Sequence, residues 1–178
     1  MLAEFFYIGL FALLVWVIII YNRLVVDRNR VQTGWSDIDV QLKRRHDLIP
    51  KLVDAVRQHA EYESSTMQAI TELRSQATPV NGVAEISAVE ASLGAGIKKL
   101  IALAEAYPEL KTNQSFLDLQ YNLTEVENQI QYARRYYNGA VRNLNIRVES
   151  FPDMLVARVF SFATAQFFDF NEVVAGAD

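Results

Sequence analysis

From Trp35 onward, apolar side chains recur on alternating steps of three and four residues, at Ile38, Leu42, Ile49, Leu52, Val56, Ile70 and Leu73. That spacing lays one stripe along a helix with a heptad-like, coiled-coil-like period. Arg45, His59, Glu63 and Thr66 fall on the same steps and interrupt the stripe. Thr33 or Ser36 is placed to cap its start, and Pro50 is expected to kink or break it because proline removes a backbone donor. A second series, Ile86, Val89, Leu93, Ile97, Leu100 and Ala104, predicts a helix over residues 85–107 that stops at Pro108. A third, Phe116, Leu119, Leu123, Val126, Ile130, Ala133, Tyr137, Ala140 and Leu144, predicts a helix over 114–148, capped by Thr112 or Asn113 and closed by Phe151-Pro152. A loop over 76–82 and a short fourth helix over 153–165 complete the pattern. Long helices with apolar stripes and short connections bury those stripes against one another. The expected fold class is all-α, with an antiparallel up-down bundle.

Upstream of the bundle the periodicity disappears. From Phe5 to Tyr21 no charged side chain occurs. At ~1.5 Å rise per residue this run is about 25 Å long, close to a ~30 Å hydrocarbon core when flanking residues contribute. Phe5, Phe6 and Tyr7 at one end and Tyr21 at the other suit the membrane interface. A cleaved signal peptide needs a basic start and a small-residue cleavage site. Here the start carries Glu4, and the run passes straight into Asn22-Arg23. The expectation is an uncleaved anchor over 1–22, a helical-bundle domain over 23–165 and an aromatic tail over 166–178. Arg23, Arg28 and Arg30 crowd the C-terminal flank, so the positive-inside tendency puts the N-terminus outside and the body in the cytoplasm of a bacterial inner membrane. Nothing between Tyr21 and Gln32 breaks helix, so anchor and first body helix are expected to be continuous.

Composition narrows the chemistry. A net charge of −4 on 178 residues argues against a general nucleic-acid binder, which needs a basic face. The absence of cysteine removes disulfides, thiolate metal sites and cysteine nucleophiles. Neither His46 nor His59 follows a Glu by three residues, so the di-metal carboxylate signature of helical bundles is missing. No phosphate loop, serine elbow or convergent carboxylate pair occurs, and no small-molecule substrate, metal or cofactor is expected.

Several separated segments resemble one family. These are residues 21–53, with Trp35-Ser36-Asp37-Ile38-Asp39-Val40-Gln41-Leu42 and Asp47-Leu48-Ile49-Pro50; residues 102–120, with Ala104-Glu105-Ala106-Tyr107-Pro108; residues 127–138, with Ala133-Arg134 and Tyr137-Asn138; and Phe151-Pro152. Together, and in this order, they resemble the LemA family over essentially the whole chain. The resemblance implies a bacterial protein with an N-terminal transmembrane segment and a helical-bundle body, and implies no settled biochemical activity.

The candidate contact residues are few. Arg23, Arg28 and Arg30 are candidate lipid-headgroup contacts. Arg134, Arg135 and Tyr136 form a basic, aromatic patch, with pairing of Arg134 to Glu127 or Gln131 as the plainer alternative. Phe160, Phe162, Phe167, Phe168 and Phe170 are too many large apolar groups to leave in water, and are candidate oligomer or partner contacts. Some of the polar interruptions of the first stripe are expected at its rim, rotated there by a kink at Pro50; the alternative is a buried polar layer. His46 is expected on a solvated or partner-facing surface. The function expected is a membrane-anchored, non-catalytic scaffold that self-associates and organises envelope components. The alternative is an adaptor that recruits a membrane protease or a stress-signalling partner.

Overall fold

A computed structural model describes residues 2–57, 68, 70–72, 74–75, 82–105 and 107–168. His59, Glu63, Thr66, Leu73, Pro79 and Phe170 lie outside the described residues. Among those described there is no strand, and the helices are α1 (Leu2–Arg57), α2 (Val83–Ala104), α3 (Pro108–Lys111), α4 (Gln114–Glu149) and α5 (Asp153–Val159). The chain is all-α, as its periodicity predicts. The apolar run and the first body helix are one element, and α1 passes through Pro50 without ending. The proline removes one bond to the carbonyl four residues back, while the flanking turns remain helical.

The predicted ends need three adjustments. The second helix stops at Ala104, and Pro108 opens the short α3 instead of merely terminating its predecessor. Its fixed φ suits a first helical turn. Asn113 does cap α4: its Oδ1 accepts from the Phe116 amide at 3.2 Å. The fourth helix ends at Val159, well short of 165. Ser161 adopts a φ of 56°, and the Phe162 and Ser161 amides donate back to the carbonyls of Ala157 (2.9 Å) and Arg158 (3.3 Å). This paired closure turns the chain out of the helix.

Contacts divide the chain into two units, Met1–Ser36 with Arg135–Gln166, and Asp37–Arg134 with Phe167–Asp178. In the first, α1 and α4 run antiparallel. Gly34 meets Tyr136 and Tyr137, and further back along α1 Asp27 meets Arg147, further along α4. A Cβ at Gly34 would lie 3.1 Å from the Tyr137 Cα, so the two backbones approach this closely only because residue 34 has no side chain. Beyond α4, Val156 and Ala157 of α5 pack with Ile20 and Leu24, joined by Val17, Val148 and Phe162. The side chains from Ala3 to Val15 are exposed, as a lipid-facing helix requires.

The second unit is organised around a core of Ile49, Leu52, Val56, Ile70, Leu93, Ile97, Leu100, Ala104, Leu110, Phe116, Leu119 and Leu123. Each fully buried leucine or isoleucine here contributes about 1.5–3 kcal/mol relative to exposure. The seams of α1 and α4 supply half of it, and α2 adds Leu93, Ile97, Leu100 and Ala104. The start of the α2 seam is shifted by one residue: Ser87 and Glu90 are buried, whereas Ile86 and Val89 are half-buried.

Candidate functional site

Two charged clusters stand out, one in each unit, and both sit on the buried stripe of α1. Its buried positions run Ile20, Leu24, Asp27, Gly34, Ile38, Leu42, Arg45, Ile49, Leu52 and Val56, with half-buried Val31 completing the alternating spacing. Asp27 and Arg45 are the charged members of that stripe.

In the second unit the guanidinium of Arg45, only 1% exposed, lies between two carboxylates. Its Nη2 donates to Glu90 Oε2 and to the Glu90 carbonyl at 3.1 Å, and its Nη1 donates to Glu127 Oε2 at 3.0 Å. His46 Nε2 is 2.7 Å from the other Glu90 oxygen. Gly94 faces the guanidinium, with its Cβ position 3.6 Å from Nη1. Burial is the largest single influence on Glu90 and would raise its pKa. The His46 hydrogen bond and the Arg45 charge and hydrogen bond together outweigh it, holding the carboxyl below its ordinary value. Arg45 Nε is buried without a hydrogen-bond partner, and the guanidinium is held through Nη1 and Nη2.

The earlier expectations need correcting here. Arg45 is a buried layer and not a rim residue, because the stripe stays in phase through Pro50. His46 is directed at Glu90 and is not simply a surface histidine. Glu90 was the residue missed. Its signal was present, since it stands three residues before Leu93 and four after Ile86, at stripe spacing, on the helix facing a buried arginine.

In the first unit the polarity is reversed, and the carboxylate is the buried partner. Asp27, 3% exposed, accepts from Arg147 Nε at 2.6 Å and from Arg30 Nη1 at 3.2 Å. Arg147 also donates to Asp153 at 3.1 Å. The Asp27 hydrogen bond is the main reason the Arg147 pKa is raised. A cavity of about 300 Å³ opens beside these residues. Its carboxylates and guanidinium groups are already paired, so it carries no surplus charge for a ligand of either sign.

Around this cluster the unit gathers its aromatics. Tyr21 packs edge-to-face with Phe160 (4.9 Å) and Phe162 (5.8 Å), and Arg28 sits 5.2 Å from the Phe162 ring. Trp35 lies 5.7 Å from Tyr137, whose buried hydroxyl has its pKa raised by burial and donates to the Gln166 carbonyl at 2.8 Å. The Asn145 amide grips Ala165 from both sides, donating to its carbonyl at 2.9 Å and accepting its N–H at 2.8 Å. Residues 160–166 are thereby laid along the unit.

Among the other candidates, Arg23 and Arg135 are exposed, Arg134 is half-buried and Tyr136 is 51% exposed. Phe167 is exposed, and Phe168 is buried in the second unit. The structure thus gathers Arg28, Phe160 and Phe162 around Tyr21 and leaves Phe167 and Phe168 outside that group. A groove of about 570 Å³ in the second unit is lined by Lys51, Asp54, Asn113, Ser115 and Asp118 among others. Among the described residues no group of three or more His, Asp or Glu side chains is arranged to hold a metal.

Among the described residues one helix, α1, is long and apolar enough to cross a membrane, and it continues into a helical body, the architecture of a membrane-associated α-helical protein. The family model described as LemA family matches residues 34–177, and the chain belongs to the LemA family. It is 25% identical over 160 residues to Protein LemA of Metamycoplasma hominis, covering 85% of this chain and 70% of that protein. It is 25% identical over 174 residues to Magnetosome protein MamQ 2 of Paramagnetospirillum magneticum, covering 83% of this chain and 64% of that protein. A third relative, Magnetosome protein MamQ of Magnetospirillum gryphiswaldense, is 19% identical over 187 residues, with 90% and 69% covered. The chain therefore spans about two thirds of the length of these relatives. Neither the family nor these relatives carry the name of an enzyme.

Proposed function

We propose that this protein is a non-catalytic, self-associating scaffold of the bacterial cytoplasmic membrane, with its N-terminus outside and its body in the cytoplasm. The observation that carries the reading is the way α1 leaves the membrane. It continues as helix past Tyr21 and is held to α4 by the buried Asp27–Arg147 pair and the close approach at Gly34. A tether needs no such clamp; an assembling subunit does, because contacts between copies fix an array only when anchor and body hold one geometry. Arg23, Arg28 and Arg30 support the orientation. Arg135, Tyr136 and Phe167 are exposed and are the contacts proposed between copies. The clusters pair their charges internally, which favours a structural over a reactive role.

Mass measurement of the intact chain in a mild detergent or in nanodiscs tests self-association, with complexes of several copies expected. Monomers at every concentration overturn the scaffold. Protease cleavage of the body in inverted vesicles but not in intact spheroplasts is the expected orientation result, and the reverse pattern overturns it. A second reading, an adaptor, draws on the exposed Tyr121, Tyr132 and Tyr136, since tyrosine is enriched at binding surfaces. A defined partner co-purifying with monomeric chain would favour it.

A further inference from the structure

The α4–α5 corner and α5 carry an apolar surface that the scaffold reading does not use. Phe151 is 75% exposed, Leu155 47%, Val159 77% and Phe160 49%. Leu155 and Val159 are four residues apart in α5 and share one face, because i and i+4 lie on one helical face, and Phe151 is exposed in the corner just before that helix. The opposite side, Val156 and Ala157, is buried. A short helix with one face satisfied and the other covered in large apolar groups requires a second apolar phase.

Its position identifies that phase. The buried side of α5 rests on Ile20 and Leu24, the residues at which the uncharged run of α1 gives way to Arg23 and Asp27. Phe160 packs on Tyr21, the last residue of that run. Aromatic rings concentrate at the headgroup level, so Tyr21 marks depth, and α5 lies at the same depth. Arg158 is exposed on α5, and Arg28 lies over Phe162 on the polar side of the group. Apolar groups at this level, flanked by arginines whose long stems allow the charge to reach water or phosphate, make an interfacial helix.

We infer that α5 and the Phe151-Pro152 corner form a foot that lies in the headgroup–acyl boundary of the same leaflet from which α1 emerges, with Phe151, Leu155, Val159 and Phe160 in lipid. The occupant of this surface is the bilayer and not a second copy of the chain. The inference rests on the reading of α1 as a membrane span. Two attachment points, the span and the foot, would fix the first unit's tilt as well as its depth.

The chain has no cysteine, so single-cysteine variants Leu14→Cys, Leu155→Cys, Val159→Cys and Asn122→Cys of the full protein each report one site when spin-labelled in phosphatidylcholine–phosphatidylglycerol nanodiscs. The measurement is relative collision with oxygen, which partitions into lipid, and with a water-soluble nickel chelate. Labels at 155 and 159 should be lipid-exposed but shallower than the label at 14, with oxygen-to-nickel ratios below that at 14 and several-fold above that at 122. Water-like values at 155 and 159 beside a lipid-like value at 14 overturn the foot and leave the span intact. Water-like values at all of 14, 155 and 159 overturn the membrane span itself. Low access to both reagents at 155 and 159, with dipolar broadening that persists as lipid is added in excess, assigns the face to a neighbouring copy and overturns the inference.

Discussion

The two charged clusters bury opposite partners. In the second unit a guanidinium is enclosed and two carboxylates reach it, one fully buried and one 35% exposed at its side chain. In the first unit a carboxylate is enclosed, and its main partner Arg147 keeps 28% of its side chain in solvent. Enclosing a charge carries a desolvation cost that only its partners offset, so removing a partner costs most where both are dry. Where one partner remains wet, water replaces part of what is lost. The Arg45 layer therefore fixes packing and register within its unit. The Asp27 pair is the softer contact, placed where α1 leaves the apolar run.

The largest effect is expected at the drier cluster. Arg45→Ala leaves Glu90 buried beside His46 alone, and should lower unfolding free energy by about 3–5 kcal/mol, read by denaturant titration followed by circular dichroism. An effect equal to that of an exposed surface pair would erase the distinction between the clusters. Next is the helix approach. Gly34→Leu must displace the Tyr137 backbone, and a loss of about 1–3 kcal/mol is expected from overpacking, with Gly34→Ala smaller because neighbours must yield only a few tenths of an ångström. Asp27→Asn keeps the shape and removes the charge, so about 1–2 kcal/mol should be lost with Arg147 still partly hydrated. Asn145→Ala, which releases Ala165, should cost about 1 kcal/mol and raise hydrogen exchange over residues 162–166 while leaving the second unit unchanged.

Acid separates the clusters further. The Glu90 carboxyl is depressed in the folded state, so its contribution is present above the unfolded carboxylate pKa and is lost as pH falls through the lower folded value. Unfolding of the second unit should show an acid-dependent component below the ordinary glutamate range. Glu90→Gln should reduce that component, at a cost in stability at neutral pH. An unchanged acid profile in Glu90→Gln would place the sensitivity elsewhere.

Much of the fold was legible because helical burial imposes its period on the sequence. The α4 series from Phe116 to Leu144 is buried at each predicted position, except that Ala133 is half-buried. The α1 series was legible from Ile38 to Val56, yet it begins earlier, at Ile20. Asp27 and Gly34 hid that beginning, since an aspartate and a glycine do not register as apolar although each occupies a buried step. The Arg45 layer was half visible for the same reason. An arginine in an apolar series is readable from one helix, but whether it is buried depends on a carboxylate arriving from another, and nothing local links Arg45 to Glu90. Early termination of α5 was hidden because a serine, not a glycine, takes the left-handed φ. Gathering of Phe160 and Phe162 on Tyr21 depends on tertiary folding of residues distant in sequence.

The central claim is that α1 leaves the membrane as a clamped helix and not through a linker. Hydrogen exchange of the full chain in nanodiscs, resolved over residues 22–32, tests it most directly. Slow exchange there, comparable with that of residues 38–49, is the predicted result, with selective acceleration in Asp27→Asn. Rapid exchange across 22–32 in the unaltered protein, beside protected helices on either side, would contradict it.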